Sequence, residues 1–237
     1  MQIAQRYIYP PRPMKEAIPF SQVKIYSQYG WVGQIKYNDK RTEISVSDND
    51  VEIFNRHNST HKTFVLTAEL REELLTVFRD VLGLDISNWS YVDGGILDGK
   101  NKHLSGLFVI WDILVREGDW LVGSTYQERY NWLLEKAVAA GGKPFLVTIN
   151  GKEFDFGVRL SEHVFLPRIS EDFNSIWEFT QAVNKAAGWN GPKDGEAVLE
   201  GIVAKDPNGV LKPDNGKESN NCEWSARSRI YTKRSRF

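Results

Sequence analysis

An α+β fold is what this sequence predicts, and three features predict it. Short runs alternate apolar and polar residues at the strand period, a few stretches repeat apolar residues at spacings of three and four, and the two kinds follow one another in mixed order. A regular alternation of strand and helix, the mark of a parallel sheet, is missing, so antiparallel sheets flanked by helices are expected.

Taken along the chain, the first elements are alternating runs at residues 31–37 and 42–46. They lead through Asp48, Asn49 and Asp50 into a third run at 51–55, which reads as antiparallel strands joined by tight turns. Residues 67–84 place Leu70, Leu74, Val77, Phe78 and Val81 at helical spacing, with Thr67 as the N-cap and Gly83 near the end. Strands are expected at 90–97 and 107–115, then a second helix at 126–140 closed by Gly141 and Gly142. A strand at 144–149, a helix at 175–187 and a strand at 197–205 complete the pattern. The stretches 190–196 and 206–221 are rich in Gly, Pro, Asn and Asp and read as loops.

The 237 residues suffice for one large domain, and a single domain over 1–237 with a two-lobed interior is expected. Cys222 is the one cysteine, so no internal disulfide forms, and one thiol with four scattered histidines builds no metal cluster. Neither a membrane-length apolar run nor a signal-peptide layout is present, and a soluble, cytoplasmic monomer is expected. Thirty basic against 31 acidic residues give a net charge of −1, so bulk charge does not mark a nucleic-acid binder. A basic run, Arg227, Arg229, Lys233, Arg234 and Arg236, is a candidate for phosphate contacts, and a solvated terminus explains it equally well.

Chemistry concentrates first at Lys36-Tyr37-Asn38-Asp39-Lys40-Arg41. A lysine at a strand end against desolvated walls can become a neutral nucleophile, and Arg41, returning on the next strand, can hold ribose or phosphate. Further segments follow: Glu52 to His57 with Arg56, Val92-Asp93-Gly94-Gly95-Ile96-Leu97, the apolar strand carrying Phe108, Trp111 and Asp112, Glu200-Gly201-Ile202-Val203-Ala204-Lys205, and Trp224-Ser225-Ala226-Arg227-Ser228-Arg229. In this order they resemble the motifs of the covalent nucleotidyltransferases, the superfamily of DNA ligases, RNA ligases and mRNA capping enzymes. The first is similar to KxDGxR, the fourth is a full match to EGxVxK, and the last lies where KxK is usual.

The resemblance implies the ATP-grasp-like nucleotidyltransferase fold of ligases, with a nucleotide cleft between antiparallel sheets. It implies an ATP-dependent polynucleotide ligase using Mg²⁺ or Mn²⁺ and acting on nicked or broken RNA, DNA or hybrid duplexes. Lys36 would be the nucleophile and Lys205 would contact the α-phosphate. Arg41 and Arg56 would hold ribose and phosphate, and Arg227 and Arg229 would promote the first step. Glu200, with Asp93 as a second candidate, would bind the metal. Gln34 and Ile35 would lie against the nucleotide, and of Trp111 and Phe108 one would stack on adenine while at least one is core. Asp112 would cap or buttress the site.

Three positions depart from the motifs. Asn38 and Asp39 replace the usual Asp and Gly, Gly95 replaces a glutamate, and Arg227 and Arg229 replace lysines. Asp93 or Asp98 would stand in for the missing glutamate, and Gly95→Glu is expected to raise adenylylation by restoring a ligand for ribose or metal. The roughly thirty residues before Lys36 are too few for the module that holds nicotinamide mononucleotide in NAD⁺-using ligases, which points to ATP. No OB-fold is expected after the last motif, which inclines the reading toward RNA ligase over DNA ligase. A capping guanylyltransferase, or a catalytically weakened binding protein on the same fold, are the alternatives.

Overall fold

β1 (Val32–Tyr37) and β2 (Lys40–Ser47) follow each other with only Asn38 and Asp39 between them, yet they belong to different sheets. The computed structural model describes residues 7–14, 16–97, 103–194 and 197–230. Asp98 and the basic positions Lys233, Arg234 and Arg236 lie outside the described residues. β2 turns through Asp48 and Asn49, both at positive φ (51° and 61°), into β3 (Asp50–Asn55), the tight hairpin those residue types favour. The expectation that the first run also joins this hairpin is corrected. Alternation sets which face of a strand is buried, but it does not name the neighbouring strand.

The larger sheet adds β4 (Ser90–Leu97), β5 (Leu107–Arg116), β6 (Asp119–Trp120), β7 (Pro144–Ile149), β8 (Lys152–Arg159) and β9 (Val164–Pro167). Its order is β3-β2-β4-β5-β9-β8-β7, with β6 beside β5, and only β5 and β9 pair parallel. The smaller sheet is antiparallel, in the order β10 (Ile169–Ser170), β1, β11 (Leu199–Lys205) and β12 (Ser225–Arg229). β6, β8, β9, β10 and β12 have no counterpart in the sequence expectation.

Helices cover the sheets on their outer faces. α1 (Phe20–Val23) runs into a short turn, and α2 (Ala68–Thr76) starts at Thr67, whose Oγ1 accepts from the Leu70 N–H at 3.3 Å. α3 (Tyr126–Ala139) opens with a capping box made by Thr125 and Glu128. α4 (Phe173–Ala186) is capped by Asp172, which accepts from the N–H groups of Asn174 and Ser175, so it begins two residues before the expected start. α2, the helical turn Val77–Val81 that continues it, and α3 bury Leu74, Phe78 and Leu133 with Ile44, Val92 and Ile110 of the large sheet, whereas α4 buries Phe173, Ile176 and Val183 with Ile35 and Ile202 of the small one. Each such side chain contributes about 1.5–3 kcal/mol when fully buried. Among the described residues no helix is long and apolar enough to cross a membrane.

Candidate active site

A cleft of about 800 Å³ opens between the two sheets. Strand register explains which side chains of the small sheet enter it. Val32, Lys205 and Ser225 form one cross-strand row, Gln34, Val203 and Arg227 the next, and Lys36, Gly201 and Arg229 the third. Residues directly opposite share a face, so placing Lys36 on the cleft side places Gln34, Lys205, Arg227 and Arg229 there too. All of these except Val32 and Gly201 line the cleft.

Glu200 joins them through an irregularity. The pairing shifts between Lys36 and Tyr37, so that Lys36 faces Gly201 while Tyr37 faces Leu199 and Glu200 is left over. Gly201 has φ 144°, and a Cβ there would lie 2.3 Å from the Ser228 carbonyl oxygen, so only glycine allows β12 to close on this bulge. Glu200 Oε2 then accepts a hydrogen bond from Lys36 Nζ and sits 3.3 Å from Arg229 Nε. The Glu-Gly pair of the fourth motif is therefore a structural device: the glycine makes the bulge and the bulge turns the carboxylate to the lysine.

Lys205 reaches deeper. It is buried, its Nζ lies 4.2 Å from the centre of the Tyr126 ring, and burial lowers its pKa to about 8. This sets a testable pH dependence. An anionic ligand beside Lys205 requires the ammonium form, which prevails below about pH 8 in the free protein and is lost above it. Binding above that pH must take up a proton, so affinity for such a ligand is expected to fall up to about tenfold per unit. Lys205→Arg should abolish this alkaline loss, as measured by titration calorimetry; an unchanged profile in the variant would remove Lys205 as its source.

The opposite wall comes from the large sheet. Arg41 donates from Nε to Asp93 Oδ1 at 2.8 Å and from Nη2 to Asp93 Oδ2 at 2.5 Å, and its Nη2 also bonds the Pro11 carbonyl at 2.8 Å. Glu43 lies under this pair, 3.5 Å from Arg41 Nε, and burial together with the charge of Asp93 pushes its carboxyl well above the usual range. Both oxygens of Asp93 are engaged by the Arg41 guanidinium, a charge-assisted pair that holds the carboxylate on this wall. Arg41 is held on this wall, with its guanidinium carbon 6.0 Å from the Trp111 ring centre.

Trp111 and Phe108 part company. Pairing shifts between Asp93 and Gly94, so that Asp93 faces Asp112 while Gly94 faces Ile110, and Trp111 bulges into the cleft. Phe108, three residues earlier, is fully buried in the core against Phe64. Phe108 as a nucleotide contact is corrected, because an odd spacing along a strand puts two side chains on opposite faces. Asp112 lines the cleft but is anchored from behind by buried Arg129, which donates two hydrogen bonds to it at 2.8 and 2.9 Å. Arg129 also lies 5.8 Å from the centre of the Trp224 ring.

Ile35 and Gln34 are buried at the cleft, and Gln34 Nε2 has no hydrogen-bond partner among the described residues. Arg56 stands at the rim, largely exposed, with Nε 3.0 Å from His57 Nε2 and 3.8 Å from Glu218. Arg12, which pattern reading did not single out, joins this rim. Its segment bridges to Asn221, and its Nη1 is 3.6 Å from Glu218. No periodicity marks such a contact between chain ends.

At Gly95 the space for a side chain is already occupied. A Cβ built there would meet Asp39 Oδ2 at 2.8 Å and the Trp111 ring at 2.8 and 3.0 Å. Burial pushes the Asp39 carboxyl up to about 6, offset in part by Lys36, so a second carboxylate beside it is unfavourable. Gly95→Glu alone is therefore expected to lower, and not raise, any activity of this cleft.

No family model and no curated protein matches this chain. Among solved structures it is similar to mycobacterial DNA ligase D complexed with ATP and MES, at 16% identity over 95% of this chain and 61% of that one, with a TM-score of 0.53. It is likewise similar to the ligase structure Pmar-Lig_Pre, at 14% identity over 90% of this chain and 45% of that one, with a TM-score of 0.51. The chain shares its fold with these ligase structures. The chain spans less than two thirds of the length of either of these structures.

Proposed function

We propose that this chain is the adenylyltransferase core of an ATP-dependent polynucleotide ligase. The observation that carries the reading is the third row of the small sheet. It holds Lys36 against Glu200 beside Arg229, in the cleft that Lys205 and Arg227 also line. A triphosphate attacked at its α-phosphorus needs an amine in line, cations on its oxygens and a place for pyrophosphate to leave, and these residues supply that set.

In the first step Lys36 Nζ attacks the α-phosphorus. The N–P bond forms, the P–O bond to pyrophosphate breaks, and the amine proton passes to Glu200, its hydrogen-bond partner, or to water. Lys205 steadies the α-phosphate, and the arginines of β12 meet the departing pyrophosphate. Arginine grips phosphate in a fork but is never a neutral amine, so the substitution at 227 and 229 preserves binding and not proton transfer. In the second step AMP passes to a 5′-phosphate, and in the third a 3′-hydroxyl displaces AMP and closes the strand.

Among the described residues no three His, Cys, Asp or Glu side chains gather as a metal cage. Magnesium bound with a nucleotide takes one or two carboxylates plus phosphate oxygens, and Glu200 in the cleft fits that requirement. The ion, Mg²⁺ or Mn²⁺, would offset charge on the phosphates.

Trp111 offers the base a flat wall and Gln34 an amide whose two ends match adjacent donor and acceptor on an adenine edge. Labelled ATP should mark the protein covalently, while GTP should leave it at least about a hundredfold less labelled, the scale set by unpaired buried polar groups. Equal labelling by GTP would move the chain to the capping class. Sealing of nicked duplexes with each combination of DNA and RNA ends reads the strand preference.

A further inference from the structure

The first and third motifs each depart from the family pattern, and the structure brings the two departures together. Asp39 stands where glycine is usual, and Gly95 stands where a glutamate is usual. The two positions are far apart in sequence, but Arg41 pairs with Gly95 across β2 and β4, so the turn carrying Asp39 lies over that end of β4. Asp39 Oδ2 lies 2.8 Å from where a Gly95 Cβ would be, and the Trp111 ring edge is equally close to that point. The volume in front of Gly95 is thus already taken by a carboxylate, delivered from the other sheet's connecting turn.

We propose that Asp39 replaces the missing third-motif glutamate, reaching from the turn between β1 and β2 to accept a hydrogen bond from a ribose hydroxyl of the bound nucleotide. The proposal rests on the nucleotide-binding reading given above. Its place follows from the geometry: a base lying on Trp111 has its sugar at the ring edge, and Asp39 is the carboxylate at that edge, in the same cleft as Lys36. A carboxylate accepting from a hydroxyl makes a charge-assisted bond that a neutral residue cannot equal. The exchange is reciprocal. Glycine at 95 leaves room for Asp39, and Asp39 returns the anion that glycine removed.

The test is a double-mutant cycle of Asp39→Ala and Gly95→Glu, with Asp39→Asn as a control of nearly unchanged shape. Thermal unfolding and formation of the AMP adduct are both measured, the latter with ATP, 2′-deoxy-ATP and 3′-deoxy-ATP. Gly95→Glu alone should lower the melting temperature, and Asp39→Ala should relieve that loss in the double variant. Asp39→Ala and Asp39→Asn should each slow adduct formation with ATP about tenfold or more, the scale of one hydrogen bond to a charged group. For one of the deoxy nucleotides they should have little effect, and the double variant should recover most of the ATP rate. Additive effects on melting would overturn the juxtaposition. An adduct rate indifferent to Asp39, or equal losses with all three nucleotides, would overturn the ribose role. Absence of any adduct in the unsubstituted protein would instead defeat the ligase reading, and the melting cycle would still decide whether Asp39 fills the Gly95 volume.

Discussion

Incubated with ATP and magnesium, the unsubstituted protein is expected to gain the mass of AMP on Lys36, and the Lys36→Ala variant is expected to gain none. The loss should be on the order of 10⁴-fold or more, the scale of deleting a nucleophile that acts as part of a set. Three other lysines line the cleft, and none is placed to substitute: Lys62 is exposed in the loop after β3. Lys40 Nζ donates to Thr63 Oγ1 on the large-sheet side, and Lys205 is buried over Tyr126, separated from Lys36 by the intervening cross-strand row. The variant should fold normally, with a stability change within about 1 kcal/mol, because Lys36 is half-buried and Glu200 keeps Arg229 as a partner. It should also seal a strand supplied already adenylylated, more slowly than the parent, since that step needs the cations and not the amine. Peptide mapping by mass spectrometry decides the matter: an adduct on another residue, or one that survives the alanine change, would sink the ligase reading.

The largest structural effect is expected at Arg129. Its side chain is 1% exposed and that of Asp112 4%, so Arg129→Met leaves a carboxylate buried without its counterion. Breaking one side of such a pair costs about 3–5 kcal/mol, which lowers the melting temperature of a chain this size by roughly 6–20 °C. Replacing both partners, with Asp112→Leu added, should recover much of the loss, because it is the uncompensated charge that is expensive. Calorimetry on the two variants checks this. A single variant within about 1 kcal/mol of the parent would show that water reaches Asp112. The pair also supports the site, since Arg129 lies against Trp224 and Asp112 faces the cleft near Lys205, so nucleotide affinity should fall with stability in the single variant.

Much of this molecule can be read from local pattern. The strands at Lys36 and at Ser90, the helix capped by Thr67 and the loop before Leu199 follow from period, caps and turn residues, all of which act within a few positions along the chain. Lys36, Glu200 and Lys205 are legible for a related reason. The first ends a strand, and the other two sit on one strand at a spacing that a glycine bulge brings to one face. Phe108 was ambiguous in sequence because strand parity counts only once the bulge at Trp111 is known.

Partnership is a different kind of information. That β1 leaves β2 for β11, that Arg41 is spent on Asp93, that Arg129 stands behind Asp112, and that Asp39 fills the space before Gly95 all depend on segments distant in the chain. Alternating strands look alike whichever neighbour they take, and a carboxylate looks equally free whether or not a guanidinium waits for it across a sheet. Residue types and spacings therefore settled which groups this protein has and which runs form its strands and helices. Register, bulges and burial, which are set by packing two sheets and their helices around one cleft, decided which of those groups meet and which are left for a ligand.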